Sequence, residues 1–482
     1  MLTRSSVSEK QKKSKYYGKT GADGKFMVMS LDEAVRQCQA YINKVATHYY
    51  RQVEDVKVKR EMTERYILDY VDTEKPDVEG FEELVELKEA LIEEITQYGP
   101  ITDAMEDNEI DEIRANGPNQ IFVEKHGKTY FWDKVFNDRE HMEKIITKLI
   151  RASKVRLTPK NPMVNARTIE GSRVNATHAS ISPYGNPAFV IRKFKKTRIS
   201  PKKMIENQTF SVNMYKLLTL IPKADLSWLT VGPTGSGKTT LNEMLVKNID
   251  PMCRIITIEN PSELRLVRYE GDNPSGRVLN DVLQYESVSE DSTDDSSSAT
   301  MENLLINAMR QSPHWIGPGE LRAPREFATA LRAAQTGHYL FTTLHAEGDQ
   351  EAIFRFLTAY LSASNEPAEL ALRNICAAIK FIVFQERLAD GTRKVTSISE
   401  VRGANGLAPI IEQIYKFECI DVDEDTETGK VRRIIGKHKR VGTISKELEQ
   451  KMLKAGIKRS RFEFLTKEAS PYEEEEYDAD NI

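Results

Sequence analysis

The sequence is poor in cysteine and has no long apolar run. Its 482 residues include four cysteines, which stand far apart and form no C-x-x-C pair, so neither a zinc site nor a disulfide framework is expected. Free thiols are typical of a reducing cytoplasm. There is no run of 18 apolar residues, and the amino terminus lacks the apolar core of a signal peptide. The sequence therefore predicts a cytoplasmic protein without a membrane-spanning helix.

A large excess of one charge is also absent. Charged residues make up 29% of the chain, but the formal net charge is −4, which excludes general polyanion binding by the molecule as a whole. The charge is uneven, since residues 4–19 are basic and residues 473–480 are acidic. Segments of this kind have little to bury, so we predict disordered tails over residues 1–28 and 469–482.

A glycine-rich stretch, GPTGSGKT at residues 232–239, matches the phosphate-loop pattern G-x-x-x-x-G-K-[ST] in full. Gly235 and Gly237 let the backbone turn its amides toward phosphate oxygens, which residues with a β-carbon resist. Lys238 supplies a cation for the β- and γ-phosphates, and the hydroxyl of Thr239 is a hard ligand suited to Mg²⁺. An apolar run before the loop and a helical pattern after it fit the strand and helix that the motif requires. The predicted nucleotide-binding residues are Gly232, Pro233, Thr234, Gly235, Ser236, Gly237, Lys238, Thr239 and Thr240.

Residue patterns divide the chain before this loop into three regions. Residues 29–100 show helical spacing of apolar residues between charged ones, which predicts a helical lead-in. Residues 101–196 alternate like strands around turns and include an amphipathic helix, which predicts an α+β domain. A basic connector, residues 192–203, marks the next change, and we place a linker at residues 197–222. A nucleic-acid-binding patch is the alternative for the connector, although it offers only one aromatic side chain for stacking.

The loop itself belongs to a region that predicts an α/β fold. Residues 223–401 alternate short apolar runs with helical patterns, which is typical of a mostly parallel sheet. Near the end of this region, Asp390-Gly391 separates two strand-like runs and predicts a hairpin turn. A smaller carboxyl-terminal region is expected over residues 402–468.

Two carboxylates follow predicted strands of the α/β region. Glu259, in TIENPSE, comes after the second strand, and Glu320, in GELR, comes after the third. Because the ends of parallel strands open onto the crevice that holds the phosphate loop, both would approach the γ-phosphate and Mg²⁺. Hydrolysis needs a group that orients or deprotonates the attacking water, and one carboxylate can do this. Taken singly, the alternatives are a turn residue before Asn260-Pro261 and a helix-start carboxylate near Pro324.

Several motifs occur in the order found in one known family. GPTGSGKT, TIENPSELRL, GELR and TGHYLFTTLHA (residues 336–346) resemble the Walker A motif, Asp box, atypical Walker B motif and His box of the secretion ATPases. These are the hexameric traffic ATPases of type II secretion, type IV pili and type IV secretion. EIRANGPNQIFVEKHGK, GSRVN and VIRKF resemble the N-terminal domain of their CpaF-type, tight-adherence pilus branch, and FIVFQERLADGTRKVTSISEV resembles its closing hairpin. The resemblance covers about residues 101–467.

This resemblance implies a fold and a set of residue roles. The fold is a RecA-like P-loop NTPase domain with a mostly parallel sheet, preceded by a smaller α+β N-terminal domain and the helical lead-in. Glu320 matches the Walker B glutamate, the expected general base and a metal contact beside Thr239. Glu259 matches the Asp-box glutamate, which helps to place water and metal. The other matches are the histidines His338 and His345, which sense the γ-phosphate, the N-terminal-domain arginines Arg173 and Arg192 over the nucleotide, and Arg322 of GELR as a catalytic candidate.

The chain departs from the family pattern at two positions. Asn260 stands where an aspartate is usual, and Pro318 lacks the amide that a central strand would donate. The resemblance otherwise implies a homohexamer that uses ATP and Mg²⁺ for pilus assembly or secretion, with an inner-membrane platform protein and no stable nucleic-acid partner. It would be peripheral at the inner face of the membrane. The alternatives are a conjugation-type nucleic-acid transport ATPase and, because of Pro318, a weakly active ATP-binding scaffold.

Overall fold

The chain folds into two compact units, residues 1–197 and residues 198–482. The computed structural model describes residues 29–46, 56–125, 127–153, 155–168, 171–193, 199–272, 276–287, 299–426, 429, 431–468, 475–478 and 480. Among these residues, no helix is both long and apolar enough to cross a bilayer.

The first unit begins with helices that pack on one another through apolar faces. They are α1 (Leu31–Val45), α2 (Val56–Glu74) and α3 (Leu84–Thr96). The Ser30 hydroxyl caps α1 by accepting a hydrogen bond from the Glu33 amide at 3.3 Å, which satisfies a donor that has no partner inside the helix. Val35, Val71 and Leu91, one from each helix, meet in a buried cluster. The helical pattern predicted for this stretch is confirmed in its described part.

The remainder of the first unit is an antiparallel sheet with helices against it. Its elements are α4 (Thr102–Glu106), β1 (Ile110–Ala115), β2 (Ile121–Lys125), β3 (Lys128–Phe131), α5 (Arg139–Ile150), β4 (Met163–Arg167), β5 (Arg173–Thr177) and β6 (Ala188–Arg192). The strands pair in the order β3-β2-β1-β6-β5-β4. Asp138 caps α5, because its carboxylate accepts a hydrogen bond from the His141 amide at 2.8 Å. The α+β arrangement predicted here is therefore observed.

The second unit is built on a mixed sheet in the order β15-β14-β13-β12-β7-β11-β10-β8-β9. Its strands are β7 (Trp228–Val231), β8 (Ile255–Glu259), β9 (Val282–Glu286), β10 (Trp315–Pro318), β11 (Tyr339–Leu344), β12 (Phe381–Arg387), β13 (Arg393–Asn405), β14 (Ala408–Glu424) and β15 (Val431–Arg440). From β12 to β9 in that order neighbouring strands are parallel, and from β12 to β15 they are antiparallel. The mostly parallel α/β sheet and the hairpin around Asp390-Gly391 are therefore confirmed.

Helices accompany the parallel part of this sheet. They are α6 (Pro201–Glu206), α7 (Val212–Lys223), α8 (Lys238–Val246), α9 (Met301–Ala308), α10 (Pro324–Gln335), α11 (Asp349–Leu361), α12 (Ala368–Ala378) and α13 (Lys446–Lys454). Every residue of β7 and β8 is buried, because parallel strands with helices over both faces have no side open to water. Trp228 of β7 packs against Phe341 of the adjacent strand β11 and against Trp315 of β10, the next strand in the sheet, with ring centroids 5.2 Å apart in both pairs. This aromatic cluster lies in the core beneath the strand that ends at the phosphate loop.

Two predicted boundaries of this unit differ from the structure. The stretch placed as a linker, residues 197–222, contains α6 and most of α7, whose apolar residues join the core of the second unit. Ser200 and Ser211 cap these helices, a local signal that the basic composition obscured. The boundary after residue 401 falls inside β13, and β14 and β15 continue the same sheet, so residues 402–440 are part of the α/β unit.

The acidic carboxyl-terminal segment also differs from its prediction. Residues 475–477 and 480 contact the rest of the second unit through side chains and backbone, although the whole of 469–482 was expected to be a disordered tail. Tyr477 gives this segment an apolar ring to bury. The four consecutive glutamates before it make the composition of the segment strongly acidic, so this burial was not predicted. The predicted tail 1–28 and the central part of the basic connector, residues 194–198, lie outside the described residues.

Candidate active site

The phosphate loop joins the end of β7 to the start of α8. Gly232, Gly235 and Gly237 have φ values of 151°, 77° and 99°, a region that L side chains rarely adopt. Gly237 precedes the first residue of α8, Lys238, so the loop delivers the chain directly into the helix. The amides at such a helix start have no partner within the helix and attract anions. The strand, loop and helix predicted from the motif are therefore present.

A hairpin that the sequence reasoning did not assign to the site packs against this loop. A β-carbon at Gly232 would lie 2.0 Å from the carbonyl oxygen of Gln385, and one at Gly237 would lie 3.1 Å from Cδ of Arg393. The Nε of Arg393 donates a hydrogen bond to the carbonyl of Gly235 at 3.1 Å. The pairing of β12 with β7 places the end of the hairpin beside the loop.

Lys238 is buried and points back along its own loop. Its ammonium donates hydrogen bonds to the carbonyls of Gly232 at 2.8 Å and Pro233 at 2.9 Å. Its Nζ also lies 3.5 Å from Nδ1 of His345, which follows the end of β11. The loop lysine and the residue after a neighbouring strand therefore meet at one edge of the sheet, as the order of parallel strands predicts.

His345 connects this lysine to a carboxylate. An ammonium can only donate, so Nδ1 of His345 faces Lys238 as an acceptor and the ring proton belongs on Nε2. Nε2 lies 3.3 Å from Oε1 of Glu320. Burial and, after it, the charge of Lys238 lower the pKa of His345, which keeps the ring neutral near pH 7. The neutral imidazole therefore lies in polar contact with the carboxylate of Glu320.

Glu320 is held on its other side by Arg322. The distance from Nη2 of Arg322 to Oε2 of Glu320 is 2.8 Å, and the glutamate side chain is 26% exposed. Glu320 and Arg322, the two charged residues of the GELR motif after β10, are therefore in contact. A carboxylate that is oriented from both sides and still reaches solvent can accept a proton from water.

Pro318 stays in register with Ile258 of β8 but lies in a bulge relative to β11. Ile316 pairs with Leu340 of β11, and Glu320, four residues on, pairs with Thr343, which is three residues on from Leu340. One strand thus carries one residue more than its neighbour, which is the definition of a β-bulge. Proline is tolerated at bulges because the ladder does not use its missing amide there. The departure at Pro318 is therefore compatible with an intact strand end.

Glu259 is the most buried carboxylate of the site. It is 4% exposed and accepts hydrogen bonds from the Ser262 hydroxyl at 3.1 Å and from the amides of Glu263 and Leu264 at 3.1 and 3.2 Å. Burial raises its pKa to about 7, and these hydrogen bonds, which favour the charged form, oppose the rise. A β-carbon at Gly319 would lie 2.9 Å from Cγ of Glu259, so the two strand-end segments are in close contact. The carboxyl of Glu259 is therefore poised to exchange a proton near neutral pH.

The structure does not bring His338 to this edge. It precedes β11, whereas His345 follows it, and a strand of this length separates the two by roughly 20 Å. The ring of His338 instead contacts the carbonyl of Ala333 at 3.0 Å and the hydroxyl of Thr336 at 3.2 Å, at the end of α10. Two histidines that lie seven residues apart in an extended strand cannot both lie beside a phosphate bound at the loop of the same chain.

Arg173 and Arg192 lie side by side on the sheet of the first unit. They are direct partners in the β5–β6 pair, so their side chains project from the same face. Arg167 extends this row, since it pairs with Arg173 across β4 and β5. Glu112 is the partner of Arg192 on β1, and its carboxylate also contacts Arg114 at 3.4 Å. The three arginines thus place positively charged groups on one face of this sheet, next to the carboxylate of Glu112.

The residues at the loop suit a magnesium nucleotide. A β-carbon at Gly232 would meet backbone and one at Gly237 would crowd the hairpin, so the loop keeps the narrow turn that backbone amides need to approach phosphates. Lys238 adds a cation, and Thr239 offers a hydroxyl in the first turn of α8. Mg²⁺ is usually held by one or two protein oxygens together with phosphate oxygens. Thr239 and Glu320 are the residues that would share it with a bound nucleoside triphosphate.

Comparison with known proteins identifies relatives over most of the chain. The model of the family described as "Type II/IV secretion system protein" matches residues 94–425, more than half of the chain. An uncharacterized protein of Methanocaldococcus jannaschii is 31% identical over 278 residues, which cover 56% of this chain and 46% of that protein. The chain therefore spans less than half the length of this relative.

Two further proteins are similar to this chain. The type IV secretion system protein VirB11 of Brucella suis is 26% identical over 331 residues, covering 63% of this chain and 88% of that protein. The X-ray structure of the ATPase DotB of Legionella pneumophila superposes with a TM-score of 0.45 at 21% identity, over 61% of this chain and 77% of that one.

Proposed function

We propose, because this chain belongs to the family of type II/IV secretion system proteins, that it is an ATP-hydrolysing motor that drives pilus assembly or protein secretion. The observation that carries the proposal is the line of contacts from Lys238 of the phosphate loop through His345 to Glu320. It joins a phosphate-binding cation to a carboxylate that is oriented and open to water. This combination suits phosphoryl transfer to water, in which positioning and charge stabilisation supply most of the catalysis.

Each residue of this line has a proposed task. The loop amides and Lys238 hold the phosphates, and Thr239 binds Mg²⁺ together with Glu320. Bound Mg²⁺ would neutralise charge that develops on the phosphate oxygens. Glu320 accepts the proton of the attacking water, and His345 and Arg322 keep its two oxygens in place.

The other two groups of predicted residues have supporting roles in this proposal. Glu259 stores a proton close to the strand ends and positions water, consistent with its burial and its raised pKa. Arg173 and Arg192 bind phosphate oxygens, and their placement in a row of like charge supports this. We also propose a homohexamer as the active form.

The finer assignment concerns the cellular system. We propose assembly of a tight-adherence pilus of the CpaF type, or secretion, at the cytoplasmic face of a membrane with a platform protein as the partner. The motifs around Arg173 and Arg192, GSRVN and VIRKF, support this branch.

Release of phosphate from ATP in the presence of Mg²⁺ tests the proposal. The full chain is expected to hydrolyse ATP, and Lys238→Ala is expected to lose at least about tenfold in ATP affinity, because hydrogen bonds from a charged donor contribute roughly 1.5–3 kcal/mol. Lys247→Ala is the matched control, since Lys247 follows the same helix and pairs with Glu243. Equal turnover by Lys238→Ala would refute the site.

Two other outcomes would indicate a different function. Binding of ATP without phosphate release by the full chain would indicate an assembly scaffold. Single-stranded DNA that binds to filters with the protein and accelerates hydrolysis several-fold would indicate a nucleic-acid transport motor. The proposal predicts neither.

A further inference from the structure

We propose that the second unit contains a peptide-binding groove between the start of α7 and strand β15, and that this groove takes an acidic peptide containing a tyrosine. Residues 475–478 and 480 of the same chain occupy it as a latch. The inference is independent of ATP hydrolysis. It rests on contacts at three separate places along the groove.

The first contact is at the start of α7. Ser211 caps this helix by accepting a hydrogen bond from the Met214 amide at 3.2 Å, and it is fully buried. The Ser211 hydroxyl is also hydrogen-bonded to the carboxylate of Glu475. The amide of Val212 donates to the carbonyl of Glu476 at 2.8 Å. A carboxylate at a helix start is favoured by the helix dipole, so this end of the groove selects an acidic residue.

The second contact recognises the tyrosine. His438 of β15 is 1% exposed, and its Nε2 lies 3.0 Å from the carbonyl of Val395. A carbonyl can only accept, so Nε2 carries the proton and Nδ1 is an acceptor. Nδ1 lies 2.8 Å from the hydroxyl of Tyr477, and the backbone amide of His438 donates to the same hydroxyl at 3.1 Å. The tyrosine hydroxyl thus donates once and accepts once.

The environment of His438 keeps this arrangement fixed. Burial, and after it the charge of Lys394, lowers the pKa of His438 to about 3, so the ring remains an acceptor for Tyr477 at neutral pH. The Tyr477 ring packs against the main core cluster of the unit. A phenylalanine would fill the same space but leave Nδ1 of His438 without its donor, which costs free energy in a buried site.

The third contact is ionic and lies at the surface. Lys202 of α6 forms an ion pair with Asp480, and both side chains are more than half exposed. Surface ion pairs contribute little and are screened by salt, so this contact guides the segment more than it holds it. Along the bound segment, the groove therefore selects a glutamate, a tyrosine two residues later and an aspartate three residues after the tyrosine.

The contacts describe a binding site and not only local packing. The segment contacts residues that lie 264 positions away for Glu475 and 39 for Tyr477. It therefore connects β15 to the start of α7 through a short peptide. A tethered peptide meets its groove at an effective concentration in the millimolar range, so occupation by the same chain is favoured over capture of another.

The test uses the full-length chain with an emptied groove and a fluorescent peptide of residues 471–482. The variant Glu475→Ala/Tyr477→Ala removes the two buried anchors, and Glu476→Ala/Asp478→Ala is the matched control, since those side chains are exposed. The peptide is expected to bind the emptied variant at least about tenfold more tightly than it binds the control or the wild type. It should also raise the lowered melting temperature of the emptied variant.

Peptide variants complete the design. A peptide with Tyr477→Phe should bind the emptied variant more weakly, and one with Tyr477→Ala should not bind measurably. Equal binding of the peptide by wild type and emptied variant would overturn the proposal, as would binding of a scrambled peptide of the same charge. A fall in the light-scattering mass on emptying the groove would contradict occupation by the same chain and indicate exchange between copies. If the emptied variant does not fold, Tyr477→Phe in the full chain, with the same readouts, replaces it.

Discussion

His345 lies between two residues of opposite charge, and its Nε2 is 3.3 Å from Oε1 of Glu320. Its other ring nitrogen is 3.5 Å from Nζ of Lys238. A change in the position of the loop lysine is therefore transmitted to the glutamate through a single imidazole. We therefore expect this ring to couple the occupancy of the phosphate loop to the orientation of the proposed base.

Glu320 and Glu259 can be separated by conservative substitutions. Glu320→Gln is expected to bind ATP with near-normal affinity and to hydrolyse it about 10²- to 10⁴-fold more slowly, because an amide cannot take the proton of water. Glu259→Gln should have the smaller effect, since its side chain is buried and already bonded to backbone amides. Single-turnover hydrolysis measures both, with exposed Glu369→Gln as the control. The reverse order of effects would require that the two roles be exchanged.

The raised pKa of Glu259 predicts a pH dependence of stability. Its ordinary value of 4.5 applies to the unfolded chain and about 7 to the folded one. Between these values the folded chain holds a proton that the unfolded chain has lost, so the free energy of unfolding falls as the pH rises. The fall is up to roughly 3 kcal/mol. Urea denaturation at pH 5 and pH 7.5 measures this fall in the free energy of unfolding. The fall should be missing from Glu259→Gln, because the glutamine side chain stays neutral. Parallel stability curves for the two proteins would contradict the shift.

Gly232 tests the contact between loop and hairpin. A β-carbon there would lie 2.0 Å from the carbonyl oxygen of Gln385 and 2.9 Å from the hydroxyl of Ser236, so Gly232→Ala must displace backbone. We expect a loss of at least about 2 kcal/mol in the free energy of unfolding, together with weaker ATP binding. Gly348→Ala is the control, because it has an extended φ of 179° and open space around it. Equal stability of the two variants would show that the loop can move away from the hairpin.

The proposed hexamer predicts a concentration dependence. Specific ATPase activity should rise with protein concentration in parallel with the mass from light scattering, and Arg192→Ala should lose hydrolysis more than ATP binding. Lys128→Ala, an exposed residue of the same sheet, controls for the loss of one positive charge. A monomer as active per chain as the largest assembly would refute the ring while leaving the nucleotide site intact.

The parts of the fold that were predicted correctly depend on local signals. The loop at Gly232 follows a buried strand and precedes a helix because the motif requires both, and Asp390-Gly391 marks a hairpin by turn chemistry alone. The parts that were missed depend on distant partners. Strand β9 is only half buried at the sheet edge, and the burial of Tyr477 depends on His438, whose position no local pattern reveals.

The candidate site shows the same division. Lys238 and Glu320 could be grouped from the sequence because each follows a strand of one parallel sheet, and His345 was added to them by the family resemblance. His338 was grouped with them by motif, yet strand length places it at the opposite edge. Arg393 was missed because its contact with Gly235 arises from pairing between strands that are far apart in the chain.

The bulge on β10 at Pro318 affects how many residues this strand can hold. Because Ile316 and Glu320 keep their partners on β11 across it, a residue can be added after Pro318 without shifting the ladder with β11, while Trp315 to Pro318 keep their register with β8. The same addition within β7 would have no such outlet, since that strand pairs on both sides up to Val231, and every later side chain would turn to the opposite face. Insertions and deletions should therefore be tolerated among relatives before Glu320 and be excluded immediately before Gly232.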